Sequence, residues 1–168
     1  LVRFRQAFDR LLELLALVVH PALGRERKLL ELVGSEIERL LRDIVPRRIS
    51  IAVAPDPGGA WVRCDHSELH QTLLNLCLNA RDAMPSGGTL SLCVARVPGS
   101  RVRTYCPEAG APDYVELSVV DTGVGMDAEA QARLFEPYFS TKAAGTGLGL
   151  TIARRNVEMM GGRIDVQS

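Results

Sequence analysis

Asn75 and Asn79 stand one helical turn apart in a stretch that reads as a helix from His66 to about Met84, so both side chains project from one face. Glu68, Thr72 and Asp82 extend that face into a polar stripe. The rest of the helix is apolar, with Leu69, Leu73, Leu76, Cys77, Ala80 and Met84 on one side and Leu74 and Leu78 adding bulk. Two amides in such a setting are costly unless they are partnered. Either they cap neighbouring backbone groups, or they face a polar ligand and offer an amide oxygen to a hard cation such as Mg²⁺.

Two glycine-bearing turns follow. Asp121-Thr122-Gly123-Val124-Gly125-Met126 comes directly after an apolar strand. Its glycines let the backbone turn sharply and approach a flat ligand, and a carboxylate at the strand end can accept from an exocyclic amine such as that of adenine. Gly145-Thr146-Gly147-Leu148-Gly149-Leu150 opens the last helix, where exposed backbone amides suit phosphate. It is not a Walker loop, because no G-K-[ST] follows, and not a Rossmann turn, because no strand immediately precedes it. Between the turns lies Leu134-Phe135-Glu136-Pro137-Tyr138-Phe139-Ser140-Thr141-Lys142, whose aromatics either anchor a mobile lid or belong to the core. The chain has two lysines, Lys28 and Lys142, and the second could reach phosphates from the lid. Cys64, His66 and His70 look superficially like metal ligands, but no fourth ligand has suitable spacing.

Several elements must position these residues. Over residues 1–45, Phe8, Leu11, Leu12, Leu15, Val18 and Val19 and then Leu29, Leu30, Val33, Ile37, Leu40 and Leu41 recur at helical spacing. This predicts two helices, broken at Pro21 and Gly24, that pack locally or form a homodimer. Short strands are expected at 49–53 and 61–64, joined by Pro55-Asp56-Pro57-Gly58-Gly59. Asp65 followed by Glu68 signals the start of the asparagine-bearing helix. Further strands are read at 89–97, at 114–121 and from Arg163. A polar loop spans 98–113, a short helix 128–134, and a last helix about 146–160. Strands mixed with non-alternating helices predict an α/β (α+β) two-layer sandwich, with helices on one face of a mixed sheet.

The 168 residues allow one ordinary domain plus an appendage. Twenty basic residues balance twenty acidic ones, which argues against a bulk nucleic-acid binder. No apolar run reaches the roughly 20 residues that span a bilayer, and charges near the start disfavour a signal peptide. Four well-separated cysteines predict reduced thiols and a cytoplasmic setting, although a parent protein could be membrane-anchored. Beginning at Leu1 and stopping within an apparent strand, the chain reads as a piece of a longer protein, truncated at a C-terminal hairpin.

Four segments, taken in order, resemble a known set of motifs. N-L-C-L-N-A-R-D-A from Asn75, D-T-G-V-G-M, F-E-P-Y-F-S-T-K and G-T-G-L-G-L are similar to the asparagine, first glycine, phenylalanine and second glycine boxes of sensor histidine kinases. The resemblance covers roughly 49–168 and implies the Bergerat ATP-binding fold over 46–168, shared with topoisomerase, mismatch-repair and chaperone ATPases. It implies that Asn79 holds Mg²⁺ with help from Asn75, that Asp82 sits at the rim, and that Asp121, Gly123 and Gly125 form the adenine pocket. Lys142, Thr146 and the amides of Gly147, Leu148 and Gly149 would hold the ATP phosphates, with Asn75 and Lys142 the catalytic candidates.

Hydrolytic relatives carry a glutamate one turn before the magnesium-binding asparagine. Here that position is Asn75, whose amide cannot take a proton. This favours phosphoryl transfer to an external histidine over hydrolysis, and implies a phosphoacceptor domain and a response regulator as partners. A hydrolytic clamp of the same fold and a non-catalytic scaffold or phosphotransfer adaptor are the alternatives. Three departures stand out. The family's histidine–acid–proline acceptor motif is missing, His20 being followed directly by Pro21. The lid Lys142-Ala143-Ala144-Gly145 is short. The strand expected after 161–166 is absent, which would expose a sheet edge.

Overall fold

The computed structural model describes residues 36–54, 61–62, 64–104, 106–142 and 145–168, with the backbone of Leu12–Leu15 and Arg27–Lys28. In chain order the elements are β1 (Leu12–Leu15), β2 (Arg27–Lys28), α1 (Glu38–Ile44), β3 (Ile49–Ala54), β4 (Trp61–Val62), α2 (His66–Ala83), β5 (Gly88–Pro98), α3 (Gly99–Val102), β6 (Asp113–Asp121), α4 (Ala128–Arg133), α5 (Gly149–Met159) and β7 (Asp165–Gln167). Five strands form a mixed sheet in the order β3-β5-β6-β1-β7, in which only the β3–β5 pair is parallel. The two-residue strands β2 and β4 pair separately.

Period-two patterning sets the two faces of the sheet. On β6, Val115, Leu117 and Val119 join Leu90, Leu92 and Val94 of β5 in the main core. Glu116 and Ser118 alternate with them and, though buried, face the other way. The core is completed by Leu69, Leu73, Leu76, Cys77 and Ala80 of α2, by Ala153 and Val157 of α5, and by Ile37 and Leu41 at the start of the described domain. Helix α2 packs against both the sheet and α5. A smaller cluster of Val97, Val102, Ala109, Ala111 and Tyr114 closes the far end of the long β5–β6 ribbon. No disulfide joins the cysteines among the described residues, and burial pushes the Cys77 thiol up to about 12, so it packs as an inert apolar group.

Asp65 caps α2 as its spacing predicts, with Oδ1 accepting from Ser67 N (2.8 Å) and Glu68 N (3.1 Å). Asp65→Ala is expected to lower stability by about 1 kcal/mol. Urea unfolding monitors this, and an unchanged midpoint would mean that the cap is dispensable.

Two expectations require correction. Leu12–Leu15, read as helix, is a strand pairing antiparallel with both β6 and β7, and Arg27–Lys28 pairs with Trp61–Val62. Four residues fit either period, and hydrogen-bonding groups offered on two sides outweigh local helix preference. The remaining positions in 1–35, including His20, lie outside the described residues. Second, α5 begins at Gly149 rather than near Thr146, since Gly147 adopts a left-handed φ of 67° that a helix cannot include. The short strands expected at 49–53 and 61–64 are observed as β3, parallel to β5, and β4, paired with β2. The strand β1 lies between β6 and β7, and β3 and β7 are the outer strands of the sheet among the described residues.

Candidate functional site

The cleft lies at one end of α2, bounded by the turn after β6, the segment after α4 and the start of α5. Asn75, Asn79, Asp82, Asp121, Gly125, Lys142, Thr146, Gly147 and Gly149 all line this cavity of about 420 Å³. The volume falls within the range usual for small-molecule sites. Gly123 and Leu148 are placed beside it rather than on its wall. A larger hollow of about 610 Å³ lies around Cys106, Glu108, Arg154 and Arg163 and takes only Phe135 from the four motifs. The smaller cleft is therefore the chemically organised one.

At the inner end, Asp121 terminates β6 and is only 1% exposed. Burial raises its carboxyl to about 6, partly offset by the Gly123 N–H that donates to Oδ1 at 2.8 Å. An acceptor held in an apolar wall and already oriented by a backbone amide is suited to an exocyclic amine. Gly123 is needed for another reason: a Cβ there would come 2.5 Å from the Ala83 carbonyl, while Val124 N donates to that same oxygen at 3.0 Å. The first glycine turn is thus sewn to the end of α2. Gly125 takes a φ of 72°, the left-handed region that favours glycine.

The polar end is built from α2 and the lid. Asn79 Oδ1 and Asp82 Oδ2 accept from Lys142 Nζ at 3.0 and 2.9 Å. Burial works to raise the Asp82 pKa, but hydrogen bonds and charge from Lys142 and Arg81 outweigh it and hold the carboxyl below its ordinary value. Asn75 points across to α5 and donates from Nδ2 to the Gly149 carbonyl at 3.2 Å. The two amides one turn apart are therefore divided in use: Asn79 presents its oxygen to a cation, and Asn75 ties the glycine turn to α2.

The lid is pinned at its base. Tyr138 N donates to Gly147 O at 3.0 Å. Tyr138 has a φ of 66°, unusual for a residue with a Cβ, and Gly147 leaves no room for one, since it would lie 2.3 Å from the Tyr138 carbonyl carbon. Among the aromatics, Phe135 packs on the core, Tyr138 is exposed, and Phe139 lies under the Arg133 guanidinium at 4.4 Å. Thr146 Oγ1 accepts from Leu148 N at 3.4 Å. Ala143 and Ala144, in the middle of the lid, are outside the described residues.

Residues 64–168 match the family model described as histidine kinase-, DNA gyrase B-, and HSP90-like ATPase. The chain belongs to this family. It is 35% identical to the sensor histidine kinase ZraS of Klebsiella oxytoca over 99% of its own length and 33% of that protein's. It is 31% identical to the sensor protein FixL of Bradyrhizobium diazoefficiens over 88% of its length and 28% of FixL's. Among solved structures, the mycobacterial sensor histidine kinase MprB superposes with a TM-score of 0.63 at 26% identity, covering 83% of this chain and 81% of that one. Full-length ShkA in complex with AMPPNP gives 0.62 at 25% identity, over 86% of this chain and 30% of ShkA. The chain thus spans about a third of the curated relatives it matches.

The family's ATP-binding character fits the four motifs read in sequence, and the predicted mixed α+β sheet with helices is the architecture observed. No helix among the described residues is long and apolar enough to cross a membrane. Nor do three or more His, Cys, Asp or Glu side chains among them gather as metal ligands. His66 instead meets Glu36, with Nε2 2.9 Å from Oε2, and its ring stacks on His70. Sequence reasoning missed Asn156, whose buried side chain bonds back to α2. The available signal was a polar residue on the apolar stripe between Ala153 and Val157.

Proposed function

We propose that this chain is the ATP-binding catalytic domain of a two-component sensor histidine kinase, presenting Mg-ATP to a histidine outside residues 1–168. The observation that carries this reading is the convergence of Asn79, Asp121, Lys142 and the start of α5 on one cleft. Asp121 with Gly123 and Gly125 would take adenine, and Lys142, Thr146 and the amides at 147–149 the phosphates. Mg²⁺ would lie at Asn79, supported by Asn75. The donor set suits a hard cation: Asn79 Oδ1 and Asp82 Oδ2 already accept from an ammonium group. Bound there, the ion would neutralise phosphate charge during transfer.

The choice of transfer over hydrolysis rests on the bases at hand. The carboxylates lining the cleft, among the described residues, are Asp82 and Asp121. Asp82 is engaged by Lys142 and Arg81, and Asp121 is buried at the adenine end. Asn75 occupies the position from which hydrolytic relatives activate water. ShkA's complex with AMPPNP supports the nucleotide assignment. A phosphoacceptor domain and a response regulator follow as partners of a parent kinase, and a cytoplasmic location follows from them.

Mg-ATP at about a hundred times its Kd is expected to raise the melting temperature by about 5–10 °C. No shift would remove nucleotide binding and favour the scaffold reading. Incubated with γ-labelled ATP, the isolated chain is expected to acquire no acid-labile label. Label on the chain would place an acceptor within it, His20 being the first to test, whereas steady phosphate release would favour a hydrolytic clamp.

A further inference from the structure

The stripe that bears Asn75 and Asn79 begins at Glu68 and Thr72, two turns away from the cleft. There Asn156 of α5 reaches across, donating from Nδ2 to the Glu68 carbonyl at 3.2 Å and to Thr72 Oγ1 at 3.4 Å. The Thr72 hydroxyl itself donates to Glu68 O at 2.8 Å. Thr72 and Asn156 are 2% and 7% exposed, on the helix faces that carry the buried core residues Leu69, Leu73, Ala153 and Val157. An amide and a hydroxyl at such positions are costly unless bonded, and when bonded they hold one arrangement where apolar side chains would tolerate several.

Two turns along each helix, the second link is Asn75 Nδ2 to Gly149 O. The pairs 68/72–156 and 75–149 show that α2 and α5 run antiparallel, joined by a polar rung near each end of their contact. One rung would allow α5 to pivot; two fix both its slide and its rotation. Gly149 is the first residue of α5, directly after the turn that lines the cleft.

Resting on the nucleotide reading above, we infer that Asn156 is a positioning residue for the phosphate subsite. By locking α5 to α2 in one register, it sets where the amides at 147–149 stand relative to Asn79. Asp121 is carried by β6 and the turn sewn to Ala83, so the adenine end is placed independently of this lock.

Adenosine and Mg-ATP titrated calorimetrically against the 168-residue chain separate these roles. Asn156→Leu, close in volume, is expected to weaken Mg-ATP about tenfold while leaving adenosine within about twofold. The double variant Thr72→Val/Asn156→Leu is expected to regain thermal stability but not the lost triphosphate preference. Asn156→Ala gives the same comparison if leucine prevents folding. Equal weakening of both ligands, unchanged Mg-ATP affinity, or a double variant that restores the preference would overturn the inference. A wild-type chain that gains nothing from the triphosphate would instead remove the nucleotide reading, and this inference with it.

Discussion

Asn79→Ala is expected to abolish magnesium-dependent nucleotide binding. The side chain lies on the cleft wall one turn beyond Asn75, and its Oδ1 already accepts from the Lys142 ammonium at 3.0 Å. That oxygen is the polar atom of α2 best placed for a metal, because Nδ2 of Asn75 is committed to Gly149 O and Asp82 is shared between Lys142 and Arg81. Outer-sphere partners of bound metals are worth about 10–100-fold in affinity, and a direct ligand is worth no less, so a loss on the order of 100-fold or more follows. The side chain is half-buried and outside the main core, so the fold should survive its truncation. Titration of Mg-ATP and of ATP with chelator distinguishes the outcomes. Wild type should favour the magnesium complex and the variant should not. Equal affinity of variant and wild type for Mg-ATP would remove the metal assignment.

Asp121→Asn should produce the other large effect, with a pH signature of its own. Burial lifts the carboxyl from an ordinary 3.8 to about 6 in the ligand-free fold. The raised value means that the folded chain holds a proton more tightly than the unfolded one. Its contribution to stability is complete below 3.8 and is lost as pH rises through about 6. Binding acts in the opposite sense, because an adenine amine is accepted best by the carboxylate. Wild-type ATP affinity should therefore fall as pH drops from 7 to 5, by about tenfold if only the ionised form binds. The asparagine variant should bind about 10–100-fold more weakly at pH 7, should discriminate less against guanine nucleotides, and should lose the pH slope. Retention of that slope in Asp121→Asn would assign the titration to another group and undo the adenine assignment.

The parts of this site that sequence makes legible are those fixed by local geometry. Asn75 and Asn79 share a face because a helix repeats at 3.6 residues, and Asp121 ends a strand whose apolar run is plain. The glycine turns announce themselves because glycine takes the left-handed backbone of Gly125 and Gly147 at least steric cost. What local pattern cannot supply is partnership at a distance. Leu12–Leu15 has helical spacing, yet its pairing with β6 and β7 decides its form. Asn156 looks like an ordinary polar residue until Thr72 is set against it across 84 positions of sequence. The motif resemblance marks Lys142 as a phosphate ligand, whereas in the structure its charge rests on Asn79 and Asp82.

The bond between Tyr138 and Gly147 governs what nucleotide engagement must reorganise. Through it the segment that follows α4 is fastened to the turn that precedes α5. The entropic cost of bringing those ends together is borne when the chain folds rather than when ligand arrives. A loop closed at its neck in this way braces the segment after α4 against the turn that opens α5.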